Sequence, residues 1–170
     1  MFSSGGSGTS HHLSGVLFGQ LTGTKLVHVP YKGAPQGVLA VMTGEVTMGF
    51  FNTPTVISQI RGGKVKALGV TSLARSPLLP DVPTLDELGV RGYEVNTWFG
   101  FVAPVGTPAA VVRRFNEEIN KALKAPEVIE RLRRAYAFPE GGSPEEFAKF
   151  LSEEGTRWTK LVEDANIKIE

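Results

Sequence analysis

Every residue from Ser3 to Ser10 is serine, glycine or threonine, and the run passes through His11 and His12 into the apolar spacing of Leu13, Val16, Leu17 and Leu21. Small residues let a backbone turn tightly and approach a ligand. A helix that opens directly after such a turn offers its first free N–H groups and the positive end of its dipole to an anion. Gly23 is a natural stop for that helix. Serine and glycine runs followed by histidines also occur in expression tags. The two histidines and the unbroken passage into a helix-period segment favour a native helix opening.

Other chemistry is poorly supported. Gly5-Gly6-Ser7-Gly8-Thr9 misses the G-x-S-x-G nucleophile elbow, because Thr9 replaces the last glycine and no strand is expected before it. No histidine follows His28 to complete a triad. Neither G-x-x-x-x-G-K-[ST] nor G-x-G-x-x-G is present. His11 and His12 are adjacent and do not share a helix face, so they do not read as a two-histidine metal site. One of them is expected to border a ligand and the other to be packed or solvated. No metal or cofactor is expected, and the chain does not read as an enzyme.

The elements that would position such a loop follow from the pattern beyond it. Residues 25–29 read as a short buried strand stopped by Pro30, and 34–43 as a helix stopped by Gly44. A second strand runs through Val46, Met48 and Phe50. Asn52 or Thr53 is placed to cap a helix over about 54–61, with Pro54 in its first turn. Residues 66–71 form a third apolar run of strand length. Helix and strand alternate, the mark of parallel strands with helices on both faces. Three prolines between Pro77 and Pro83 exclude regular structure there. Residues 86–88 suggest a helical turn, and Tyr93 to Ala103 an extended crossing segment. Thereafter the pattern is helical: a helix opened by Thr107-Pro108, a short helix over 127–134, and a long helix opened by the capping box Ser143-Pro144-Glu145-Glu146, with Phe147, Phe150, Leu151, Trp158, Leu161 and Val162 on one face. Helices with broad apolar faces need a sheet to cover, and little sheet is expected after residue 103.

The 170 residues are 41% hydrophobic and 21% charged, a globular composition. The formal net charge of +1, with no long block of one sign, argues against a nucleic-acid partner. There is no cysteine, hence no disulfide and no thiol chemistry. No apolar stretch approaches the ~20 residues that span a bilayer, and no basic segment followed by an apolar one opens the chain. The pattern is that of a soluble chain without an export signal.

Five motifs occur in one order: the Ser-Ser-Gly-x-Ser-Gly-Thr-Ser-x-His-Leu opening, Val27-His28-Val29-Pro30-Tyr31-Lys32-Gly33, Phe50-Phe51-Asn52-Thr53-Pro54, Leu79-Pro80-Asp81-Val82-Pro83-Thr84 and Trp98-Phe99-Gly100-Phe101-Val102-Ala103-Pro104. Together they resemble the solute-binding proteins of the tripartite tricarboxylate transporter family, the Bug proteins, over essentially the whole chain. The resemblance implies an α/β, type II periplasmic-binding-protein-like fold: one lobe with a parallel-rich sheet over 1–95, and over 96–170 the inter-lobe crossing and a mostly helical segment of a second, incomplete lobe. It implies a C-terminal portion that lacks most of the first lobe.

It also implies a periplasmic receptor that captures a small carboxylate, a di- or tricarboxylate or a related organic acid, and delivers it to membrane permease subunits, closing about a hinge near 95–100. A ligand-sensing effector domain of the same architecture is the alternative, and a homodimer is one remedy for the absent lobe. Backbone amides across Gly6, Ser7, Gly8, Thr9 and Ser10, with the hydroxyls of Ser7, Thr9 and Ser10, would receive a carboxylate without a paired cation. His11 would border it. Tyr31, at a strand end where open α/β sheets place ligands, ranks above Lys32, a solvated turn lysine. Asn52 would bind the ligand or cap its helix, and Trp98 with Phe99 would line the cleft or pack in the core. Phe51 departs from relatives that carry an acidic or polar residue there, which makes this rim more apolar.

Overall fold

The computed structural model describes residues 1–167. The chain divides into two compact units, Met1–Trp98 together with the chain from Leu161, and Phe99–Lys160.

In the first unit the expected alternation is present, but it begins with a strand that the sequence did not announce. The order is β1 (Phe2–Ser4), α1 (Ser10–Thr22), β2 (His28–Pro30), α2 (Ala34–Met42), β3 (Met48–Gly49) and α3 (Thr53–Arg61). The three strands form one sheet in the order β2-β1-β3, both pairings parallel. β1 is therefore central, and the glycine loop follows a strand after all. It escaped notice because two of its three residues are serines, although all three are buried.

Side chains alternate across a strand. Phe2 and Ser4 face α1, while the hydroxyl of Ser3 donates to the Gly37 carbonyl of α2 at 2.9 Å. The two helices therefore cover opposite faces of β1. The closest approach is at Gly15, where a Cβ would collide with the Phe2 ring. This contact decides which side of α1 is buried. His11, His12, Ser14 and Gly15 are the buried residues of that helix, whereas Leu21, from the expected apolar face, is exposed. Phe2 also begins an aromatic cluster with Phe50, Phe18 and Tyr93. Tyr93 is fully buried and its hydroxyl donates to the Ser14 carbonyl at 2.8 Å.

Two expected strands differ from the expectation. Residues 25–27 lie outside β2 because β1 is only three residues long: its ladder runs from Phe2 N–H on the Val27 carbonyl to Tyr31 N–H on the Ser4 carbonyl. Pro30 lies within β2, not after it, on an edge strand where its missing N–H goes unneeded. Residues 66–71 make only one bridge, Val70 to Thr84, so the end of the proline-rich segment is their partner rather than the sheet. There Thr84 and Glu87 form a reciprocal cap, Thr84 N–H to Glu87 Oε2 at 2.8 Å and Glu87 N–H to Thr84 Oγ1 at 3.0 Å, and Arg75 pairs with Glu87.

The second unit carries α4 (Ala109–Ala122), α5 (Pro126–Arg134) and most of α6 (Pro144–Asp164). The Ser143–Glu146 capping box forms as expected, at 2.7 and 3.1 Å. Thr107 does not cap: its hydroxyl donates to the Pro104 carbonyl and Pro108 takes the cap position. No residue of α4 or α5 is buried. Phe99, Phe101 and Val102 of the crossing segment are all at least 79% exposed, and of the expected helical faces Phe115 is exposed whereas Leu161 is buried.

Two glycine substitutions on helices should act with opposite sign. Gly155→Ala, in open space on α6, should raise stability by about 0.5–1 kcal/mol through helix propensity. Gly15→Ala should lower it by about 1–3 kcal/mol, because the new methyl overpacks Phe2. Denaturant unfolding of both variants against the parent chain decides the point. Tyr93→Phe, which removes the hydroxyl's bond to the Ser14 carbonyl, should cost about 0.5–1.5 kcal/mol in the same assay.

Candidate functional site

The loop from Gly5 to Thr9 joins the C-terminal end of the central strand to the N-terminus of α1. Gly6 (φ 137°) and Gly8 (φ 74°) occupy backbone conformations that side chains disfavour. Thr9 is the helix N-cap: its Oγ1 accepts from His12 N–H and donates to the Gly6 carbonyl.

Counting the loop's donors narrows the expectation that amides across Gly6 to Ser10 all serve a ligand. Gly5 N–H donates to His11 Nδ1 at 3.4 Å, Gly6 N–H to Ser4 Oγ at 3.0 Å, Gly8 N–H to His12 Nδ1 at 3.2 Å, and Thr9 N–H to the Gly6 carbonyl. The Thr9 hydroxyl is also committed. Among the described residues, the N–H groups of Ser7, Ser10 and His11 and the hydroxyls of Ser7 and Ser10 make no hydrogen bond within the chain. No acidic residue lies in the first turn to compete for them.

The histidines are structural partners of this loop. Both His11 and His12 are buried, so neither is solvated. The His12 ring stacks on His28 with centroids 3.8 Å apart and an 11° interplanar angle, and His28 Nε2 lies 2.6 Å from Ser4 Oγ. Ser4 in turn bonds both the N–H and the carbonyl of Gly6. Burial lowers the pKa of all three rings. For His28 it falls to about 4, with the neighbouring His12 contributing. The cluster is therefore neutral at neutral pH. Face-to-face stacking leaves no common point for two imidazole lone pairs to meet. No group of three histidine, aspartate or glutamate side chains among the described residues could hold a metal ion.

The remaining predicted residues do not all converge. The backbone of Tyr31 adjoins Gly6, but its hydroxyl donates to Glu45 Oε1 at 2.7 Å, and that bond, before burial, raises its pKa. Lys32 is exposed, as expected of a turn lysine. Asn52 occupies the cap position of α3 without capping through its side chain; its Oδ1 accepts from the Thr97 hydroxyl at 3.0 Å, beside Trp98, which is 41% exposed. Asn52 also acts on His11, weakly opposing the effect of burial, although His11 Nε2 itself is buried and makes no well-formed hydrogen bond. Phe51 does not simply line a rim. Its ring packs over Gly37 and Gly49, where a Cβ would crowd it, and meets His11 edge-on at 5.5 Å. Ser4, His28 and Thr97 are the residues that sequence reasoning missed here; Ser4 and His28 lay within recognised motifs, and Thr97 lay in none. A surface depression of about 460 Å³, walled by Ile60, Lys64, Lys66 and Val82, contains none of the loop residues.

Comparison with known proteins places this geometry in a family. The profile described as "Tripartite tricarboxylate transporter family receptor" (TctC) matches residues 1–167. A protein encoded in the tcbD-tcbE intergenic region of a Pseudomonas strain is 44% identical over 95% of this chain and 48% of its own length. Protein BugT of Bordetella pertussis is 33% identical over 95% of this chain and 50% of its own. A protein from the clcB-clcD intergenic region of Pseudomonas knackmussii is 37% identical and is covered over 94% of its length. Among solved structures, R. palustris Rpa4515 with adipate superposes with a TM-score of 0.84 at 34% identity, covering 98% of this chain and 56% of that one. MatC from Rhodopseudomonas palustris with bound malate gives 0.78 at 31%, covering 95% of this chain and 56% of that one. The chain thus spans about half the length of most of these relatives, and its fold is that of the periplasmic binding proteins. It belongs to the tripartite tricarboxylate transporter receptor family, a family of solute-binding receptors rather than enzymes.

Proposed function

We propose that this chain carries the carboxylate-capturing loop of a periplasmic solute-binding receptor that serves membrane permease subunits. The observation that carries the reading is the set of donors left over at the N-terminus of α1: three N–H groups and two hydroxyls converge on one helix end with no internal partner. Oriented amides and a helix dipole hold a carboxylate by charge-assisted hydrogen bonds without a cation. The adipate and malate held by R. palustris Rpa4515 and MatC are small dicarboxylates, and they support that ligand class.

Within the reading, Ser7, Ser10 and the His11 N–H contact the ligand. Gly6, Gly8 and Thr9 shape the loop, and the His11 ring supports it. Asn52, joined to Thr97, and Trp98 supply the flanking wall, while Tyr31 contributes backbone more than hydroxyl. Residues 1–95 act as one lobe, and 96–170 as the crossing and the helical return of the other.

Binding titrations against a panel of mono-, di- and tricarboxylates test the proposal. A dicarboxylate at ~100 times its Kd should stabilise the chain by about 2.7 kcal/mol. The double variant Ser7→Val, Ser10→Val should lose affinity by about tenfold or more, with unfolding unchanged. Thr9→Val, which removes the helix cap, should cost about 1 kcal/mol of stability. Undiminished carboxylate affinity in the Ser7, Ser10 variant overturns the reading.

A further inference from the structure

We infer that His11 and His12 are proton-sensitive positioning residues, holding the loop in its ligand-ready shape through imidazole lone pairs that acid removes. The inference rests on the functional reading above and adds a regulation to the same loop.

The argument starts from which nitrogen accepts. Gly5 N–H points at His11 Nδ1 and Gly8 N–H at His12 Nδ1, so both Nδ1 atoms must be unprotonated and each neutral ring carries its hydrogen on Nε2. The next proton therefore has one place to go. It enters Nδ1, turns the acceptor into a donor, and sets two N–H groups against each other at each end of the loop. Gly8 has no other acceptor, and its φ of 74° is a conformation that the bond helps to hold. His28 behaves differently. Ser4 Oγ can accept from its Nε2–H and from Gly6 N–H while donating to the Gly6 carbonyl, and that arrangement survives protonation at the far nitrogen. The switch is therefore at His11 and His12, and His28 acts on it as the ring stacked against His12.

Of the groups that face the two rings, only Asn52 favours an imidazolium, and on His11 its effect is smaller than that of burial. From β1 the facing groups are Phe2 and Ser4, from β2 His28, and from the segment after β3 Phe51 and Asn52. Within α1 the first turn contains no acid, and the helix dipole adds positive potential. His28 is the only titratable neighbour among them, and its charge would repel a cation on His12. Burial keeps both rings neutral at neutral pH, so their stabilising contribution is complete above their unfolded-state value of about 6.5 and is lost as the pH falls through their lowered folded values. Loop release and global acid unfolding thus share a direction, and the test must separate them.

Amide and ring resonances of the full chain, followed by NMR without ligand from about pH 7.5 to about pH 5, do so. The Gly5 and Gly8 amides should shift and lose hydrogen-exchange protection as the His11 and His12 rings titrate, while Tyr93 and Ile57 in the core stay unchanged. His12→Asn, whose Oδ1 can take the place of Nδ1 as an acceptor without titrating, should keep the Gly8 amide fixed across the range. With adipate as probe, affinity should fall over the same range at least about threefold more in the parent chain than in His12→Asn, a comparison that cancels the titration of adipate itself. Loop amides that stay still while the rings titrate overturn the inference, as do rings that remain neutral throughout, core signals that move together with the loop, and adipate that binds more tightly as the rings charge. Failure of adipate and every other carboxylate to bind at neutral pH overturns the functional reading instead, and the loop amides still decide whether the imidazoles hold the loop.

Discussion

The contact between Phe2 and Gly15 is the constraint on which the rest of the first unit depends. A helix and a strand approach as closely as their side chains permit, and at this point one has a full aromatic ring and the other nothing. That closeness brings the first turn of α1 down onto the end of β1. Ser4, His12 and His28 then lie within bonding and stacking distance of one another, and the Tyr93 hydroxyl reaches the helix backbone at Ser14. The buried face of α1 is consequently small and polar, and its leucines are left to the margins.

From this follows the economy of the glycine loop. A loop of small residues has no side-chain mass to hold its shape, so its shape must come from hydrogen bonds. Here those bonds come from a serine on the preceding strand, from the capping threonine and from two imidazole lone pairs. Donors spent in this way are withdrawn from any ligand. What a ligand can use is the remainder, and the remainder lies on Ser7, Ser10 and the His11 backbone rather than on the glycines. The histidines therefore support the loop from below, and Phe51 supports His11 in turn by filling the space that Gly37 and Gly49 leave open.

The second unit shows a different balance. Its helices are well specified one by one, with a reciprocal cap at Ser143, ion pairs one turn apart such as Arg114 with Glu118, and Asn120 holding the Gly142 backbone from both its nitrogen and its oxygen. Exposed pairs of that kind add little stability. No residue of α4 or α5 is buried, and Phe147 and Phe150 stack on each other. Amphipathic spacing states which side of a helix seeks cover; it does not state that the cover is there.

Features that depend on residues near one another in the chain were legible in the sequence: the helix opening at the glycine loop, the stops at Gly23 and Gly44, the capping box at Ser143, the irregular proline-rich stretch, and the family, because five motifs kept their order. Features that depend on distant partners were not. β1 was invisible because burial of two serines is decided by what lies on either side of them. Residues 66–71 had the composition of a strand but found their partner at Thr84. Asn52 and Thr107 had capping chemistry, yet other acceptors and donors claimed their side chains. Local periodicity and turn chemistry thus determined the helices, their stops and the small-residue loop that opens α1. Only the tertiary structure decided which donors of that loop remain free, because a hydrogen bond between Gly8 and His12, or a stack between His12 and His28, is settled by the packing of a helix on a strand.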